Sequence, residues 1–156
     1  MEYFFDTEFI EDGKTIDLVS IGIVAADGRE LYCVSSEFDA SKADDWVKQN
    51  VLTKLGDEPP VERAVIRDKI KEFCKYGPEF WAYYADYDWV VLCQLFGKMI
   101  NLPRHFPFYC RDLKQLLDDR GLSEVRQSED TAHNALSDAK WVRDTYMRLY
   151  PNREFT

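Results

Sequence analysis

Asp6 and Glu8 stand two residues apart in the run Tyr3-Phe4-Phe5-Asp6-Thr7-Glu8-Phe9. On an extended strand that spacing sends both carboxylates out of the same face. Two hard oxygen donors side by side can bridge a divalent cation. A pair of such ions about 3.5–4 Å apart is the usual apparatus for in-line phosphodiester hydrolysis. The aromatic run in front predicts a central strand, where charge is costly to bury without a partner, and no Lys or Arg follows until Lys14.

Further candidates recur along the chain. Asp138 falls beside the apolar stripe Ala135, Ala139, Val142 and Tyr146 of a predicted helix. A carboxylate aimed between small residues toward a core reads as a ligand or partner; the alternative is a surface carboxylate near Lys140 or Arg143. His133 precedes Asp138 by five residues. A histidine in a mobile loop can take a proton from metal-bound water at neutral pH. The other histidine, His105, sits between Pro103 and Pro107 and reads as an ordinary polar residue. Asp88 opens a predicted helix behind an aromatic strand, the kind of junction at which open α/β sheets bind ligands, and Asp86 competes with it for the same role.

The elements that must position these residues follow from hydropathy patterning. Strands are predicted over residues 3–7, 16–25 and 30–35, the last two joined at Asp27-Gly28, so the N-terminal third reads as an antiparallel meander. Helices are predicted over residues 43–52 and 61–74, the latter stopped by Gly77-Pro78. A buried strand at 80–84, a helix at 88–96, a short strand at 108–110 and helices at 111–120 and 134–149 complete the order. Strands followed by alternating helices and strands imply an α/β fold with one mixed sheet covered by helices.

Composition narrows the function classes. A length of 156 residues with 46% apolar content predicts a single domain over residues 1–156 with a sizeable core. The absence of a long apolar run or of a basic leader predicts a soluble, cytoplasmic protein with no membrane partner. Cys33, Cys74, Cys93 and Cys110 are widely spaced, form no CxxC pair, and read as reduced core residues. A net charge of −9 disfavours gripping nucleic acid by a broad basic face. An enzyme acting at a strand end needs only a few phosphate contacts, and acidity is compatible with that.

Taken together, Asp6-Thr7-Glu8, Ala85-Asp86-Tyr87-Asp88 and His133-x-x-x-x-Asp138 resemble, in order and spacing, the three motifs of the DEDDh (DnaQ-like) family of 3′→5′ exonucleases. Within it, residues 3–13, the segment Ser20-Ile21-Gly22-Ile23-Val24-Ala25 and Leu92-Cys93-Gln94-Leu95 are similar to the bacterial polyadenylate-specific exoribonuclease branch, RNase AS. The resemblance runs from residue 1 to about residue 150. It implies an RNase H-like fold in which Asp6, Glu8 and Asp138 hold one Mg²⁺ or Mn²⁺, Asp6 also touches a second, Asp88 completes the site and His133 is the general base. It also implies attack on the 3′ end of single-stranded RNA, release of nucleoside monophosphates, and a homodimer.

Asp88 is preferred over Asp86 because it follows an aromatic residue, as the family's aspartate does, and opens the Trp89-Val90-Val91-Leu92 helix. Tyr84 departs from the family, which carries asparagine there, so that residue's sugar or backbone contact is not carried over. Thr7, Glu8 and Phe9 are expected to meet the substrate. Phe9 can stack on the terminal base, with core packing as its alternative. Trp81 and Tyr83 read as core, and Arg111 as a helix-surface residue with a phosphate contact as its alternative. Two rival functions stay open: a DNA-directed exonuclease with the same chemistry, and a catalytically silent interaction module. The intact acidic set and the lack of a basic stretch speak against the module.

Overall fold

The computed structural model describes residues 1–123, 127–128 and 131–151. β1 (Glu2–Glu11), β2 (Ile16–Ala25) and β3 (Glu30–Val34) form the expected antiparallel meander. β4 (Glu79–Ala82) and β5 (Arg111–Asp112) add to the other side of β1 in parallel, which gives the order β3-β2-β1-β4-β5. The helices are α1 (Asp45–Asn50), α2 (Arg63–Phe73), α3 (Asp86–Leu95), α4 (Leu113–Asp119) and α5 (Ala135–Leu149). Among the described residues no helix is long and apolar enough to cross a membrane. All four cysteines are free; three are buried and Cys110 is partly so.

The period-two alternation of β1 builds the layers. Tyr3 and Phe5 face a core that holds Phe80 with Ile66 and Ile70 of α2 and Leu92 of α3. Phe4 points the other way, toward Trp81 of β4 and toward Leu113, Val142 and Tyr146 of α4 and α5. β1 is therefore covered on both faces, as a near-continuous aromatic run requires. Its pairing with β4 stops at Phe4 opposite Trp81, while β1 itself runs on to Glu11. Residues 6–8 thus emerge past the end of the parallel strand, where the sheet edge is open.

Several boundaries differ from the sequence reading. β1 extends beyond residue 7, with a register irregularity between Glu8 and Phe9 where β2 carries one extra residue, Val19. Val61 is extended, bridged to Ser35, so α2 starts only at Arg63. The strand expected at 108–110 is displaced to Arg111–Asp112, and Phe108 and Tyr109 are exposed. The reason is Asp112, whose Oδ1 accepts the N–H groups of Lys114 and Gln115 and so starts α4 at Leu113. Its Oδ2 accepts the Ala85 N–H at 2.9 Å, which starts α3 at Asp86 rather than at Asp88. Arg111 lies on a strand instead of a helix surface, paired with Glu79 and packed over Trp81.

The approach of α5 to the sheet depends on Gly22, which sits on β2 directly opposite Asp6. A Cβ at that position would lie 2.3 Å from the Ala135 carbonyl oxygen and 2.4 Å from the Leu136 Cα. Both are backbone atoms that cannot swing aside. Gly22→Ala is expected to force the start of α5 off the sheet and cost about 1–3 kcal/mol in urea unfolding, the usual range for overpacking. The same variant is expected to impair the site that α5 carries; wild-type stability would exclude this close approach.

Candidate active site

Four segments converge at the open end of β1. Asp6 and Glu8 leave the same face of the strand, the face against which α5 packs. Thr7 points to the opposite face and reaches Asp88 of α3. Its N–H and Oγ1 donate to Asp88 Oδ1 at 2.8 and 2.6 Å. The N–H is available because β4 ends opposite β1 at Phe4. Thr7, expected to touch substrate, borders the cleft and commits both of its donors to holding Asp88. Asp88 is 5% exposed, whereas Asp86 is exposed and lies outside the cleft lining, so the geometry separates the two carboxylates that the sequence left in competition.

Asp138 lies in the first turn of α5, where the helix dipole favours a negative charge. Its Oδ2 accepts the His133 N–H at 2.9 Å, and its Oδ1 accepts the Gln127 amide at 2.5 Å. The first of these bonds curls the chain back, with His133 at φ 65°. Asn134 caps the helix by accepting the Ser137 N–H. Ligand atoms of Glu8, His133 and Asp138 lie within 4.8 Å of one another. The loop read as mobile from sequence is tied down here by Asp138 and, on its other side, by Lys54.

These carboxylates border a cleft of about 480 Å³ whose other walls include the aromatics Phe9, Trp46, Tyr83, Tyr84 and Tyr87 and the cation of Lys42. Trp46 of α1 sets its ring edge-on to His133, with centroids 4.8 Å apart. Phe9 is half-buried against Tyr87, 5.8 Å between centroids, so it belongs to both the core margin and the cleft wall. Trp81 is core as expected, but β4 stops at Ala82 and Tyr83 lines the cleft, packed on Tyr84 and Trp141. Tyr84 has φ 55°, so the two non-glycine residues with left-handed backbone among the described residues, Tyr84 and His133, both border the cleft. Such strain concentrates where a fold over-determines a functional geometry. Trp46, Tyr87, Gln127 and Lys54 were not singled out from sequence, since nothing local in their segments marks them.

Crowding sets the electrostatics. Burial pushes the Asp6 carboxyl well above the usual carboxylate range, and repulsion from Asp88, Asp138 and Glu8 adds to it. Glu8 is pushed up to about 8, first by burial and then by Asp138 and Asp88, with Lys54 pulling the other way. Asp88 rises to about 6 through burial, despite the Thr7 hydrogen bonds that favour its charged form. Burial also raises Asp138, against the opposing pull of Gln127, His133 and Lys54. A concave cluster of hard oxygen donors, each held above its normal pKa chiefly by burial, fits a divalent cation of the Mg²⁺ or Mn²⁺ type. Asp6, Glu8, Asp88 and Asp138 would hold it.

The sign of the linkage is determined by these shifts. A carboxyl whose folded pKa lies above its unfolded one binds protons more tightly in the fold, so stability is lost as pH rises through the window between the two. For Glu8 that window runs from 4.5 to about 8. The EDTA-treated protein is expected to melt at progressively lower temperature between pH 5 and pH 8, and Mn²⁺ to restore most of the loss at pH 8. Asp6→Asn is expected to raise the melting temperature of the metal-free protein at pH 8. A flat pH profile in EDTA would mean that the carboxylates do not strain one another.

Comparison with known proteins shows the family of the chain. Residues 1–149 match the family described as the Rv2179c-like 3′-5′ exoribonuclease domain. Two curated 3′-5′ exoribonucleases, Rv2179c and MT2234.1, from two strains of Mycobacterium tuberculosis, are each 47% identical over 149 residues, covering 90% of this chain and 88% of theirs. A chain from the solved structure of the yeast NOT1 MIF4G domain co-crystallised with CAF1 superposes with a TM-score of 0.58 at 13% identity. It covers 96% of this chain and 79% of that one, a likeness of fold alone. With a match along nearly its whole described length and close relatives of the same kind, the chain belongs to the Rv2179c-like 3′-5′ exoribonuclease family.

Proposed function

We propose that the protein removes nucleotides one at a time from the 3′ end of single-stranded RNA, by two-metal hydrolysis with His133 as general base. The observation that carries this reading is the convergence of Asp6, Glu8, Asp88, Asp138 and His133 from separate elements on one cleft. We read the sheet as RNase H-like, supported by an antiparallel meander whose first strand is continued in parallel by β4 and β5. We read the site as the DEDDh type and the chain as a member of the RNase AS branch, as its motifs suggest.

When bound, two Mg²⁺ or Mn²⁺ ions would supply the positive charge that offsets the carboxylates and the developing charge on phosphate. The protein's own groups do the rest. Phe9 and its neighbour Tyr87 offer an aromatic surface for the terminal base, which accepts any base and leaves sequence preference to other contacts. A ring nitrogen of His133 takes a proton from the attacking water as its oxygen bonds to phosphorus. The bond from phosphorus to the O3′ of the shortened strand breaks, releasing a nucleoside 5′-monophosphate. Asp138, through the His133 N–H, fixes the backbone from which the imidazole projects. The net charge of −9 suits an end-binding enzyme with a small footprint. A preference for RNA over DNA requires recognition of the 2′-hydroxyl. The reading also includes adenylate-rich 3′ ends as preferred substrates and a homodimer in solution.

The test is shortening of 5′-labelled oligo(A), oligo(U) and matched DNA with Mn²⁺ and with EDTA. Stepwise loss from the 3′ end that requires metal is expected, with oligo(A) fastest and DNA slowest. His133→Ala and Asp88→Asn are expected to lower kcat by about 10²–10⁴-fold. Asp86→Asn is expected to stay near wild type. Equal or faster cleavage of DNA would favour a DNA-directed enzyme, and metal-free binding without any shortening would favour an interaction module. Sedimentation at micromolar concentration checks the dimer.

A further inference from the structure

His133 is held by more than its own helix. Lys54 ends the short 3-10 turn Leu52–Lys54 that follows α1. Its ammonium donates to the Ala132 carbonyl at 2.8 Å, and its own carbonyl accepts from Asn134 Nδ2 at 2.8 Å. The two bonds fall on the residues immediately before and after His133. Between them the chain takes the left-handed turn at φ 65° and donates the His133 N–H to Asp138. From the same segment, Trp46 stands against the imidazole at an interplanar angle of 80°. The backbone under the imidazole is therefore fixed on both sides, and its ring is packed by a residue eight positions before Lys54.

We infer that Lys54 is a positioning residue: by clasping Ala132 and Asn134 it sets the His133 imidazole over the carboxylate cluster. This inference rests on the reading of His133 as general base. Lys54 also has a competing role open to it, because its charge favours the ionised forms of Glu8 and Asp138. The two roles differ in what they act through. A clasp acts through His133 alone, whereas a charge acts on the carboxylates whether or not the imidazole is present.

Lys54→Met removes both the donor and the charge. Asn134→Ser removes the amide donor without changing charge and keeps a side-chain oxygen able to cap α5. Each is placed in the wild-type and the His133→Ala backgrounds and assayed on 5′-labelled oligo(A) with Mn²⁺. In the wild-type background both variants are expected to lower kcat by about tenfold to a hundredfold, the usual cost of losing a supporting contact, with KM unchanged. In the His133→Ala background neither is expected to cost anything further. Lys54→Arg, which keeps a cationic donor, is expected to recover most of the rate.

A second readout does not need activity. With His105→Gln in place, the remaining histidine ring signals in NMR belong to His133, and Lys54→Met and Asn134→Ser are both expected to shift or broaden them. Equal losses in both backgrounds, or His133 signals unmoved by either variant, would overturn the clasp. If His133→Ala alone kept full activity, the general-base reading would fall, and the ring signals would still decide whether Lys54 positions the imidazole.

Discussion

Four carboxyl groups held together against their mutual repulsion are the constraint around which this protein is arranged. Burial raises every one of them, and repulsion between carboxylates adds to the rise at Asp6, Glu8 and Asp88. Such a cluster costs stability in a metal-free fold, so the contacts that keep it in place must come from elsewhere. Hydrophobic packing on both faces of β1 supplies that support. Phe4 and Phe5, both fully buried and facing opposite layers, anchor the strand immediately before Asp6.

The supporting contacts are specific to each carboxylate. Asp88 is pinned by a backbone N–H that is open only because β4 is shorter than β1. Asp138 reaches the cluster because Gly22 lets the first turn of α5 rest on β2. Asp112, which takes no part in the cleft lining, sets the start of both α3 and α4 and so fixes where along α3 Asp88 falls. Backbone hydrogen bonds and one missing side chain thus place the charged groups, with the Thr7 hydroxyl and the Gln127 amide adding a bond each to Asp88 and Asp138.

The same arrangement accounts for an acidic protein in a family of exoribonucleases. A broad basic surface would favour binding along a strand, whereas a deep acidic floor with aromatic walls favours a single terminal nucleotide and the cations that accompany it. Trp46, Tyr84 and Tyr87 are large, exposed aromatics, which is costly for a surface with no ligand to cover, and all three border this cleft.

Much of this was determined by the sequence alone, and for a physical reason: patterns of local period encode strands, helices and their faces. The meander, the apolar stripe of α5 and the same-face placement of Asp6 and Glu8 follow from periods of two and of 3.6 residues. The acidic set was legible because its members are chemically alike and spaced in an orderly way. What tertiary structure decided were relationships between distant segments. The motif already favoured Asp88 over Asp86, but only the fold shows Asp88 buried against Thr7 while Asp86 is left exposed. The support that Thr7 gives Asp88 was invisible in sequence because its partner lies 81 residues away. The short strand moved from 108–110 to Arg111–Asp112 because capping of α4 and pairing with β4 outweighed local aromatic propensity. Lys54 and Trp46 carry no local mark at all. Their bearing on His133 exists only once a segment near residue 50 is folded against the start of α5.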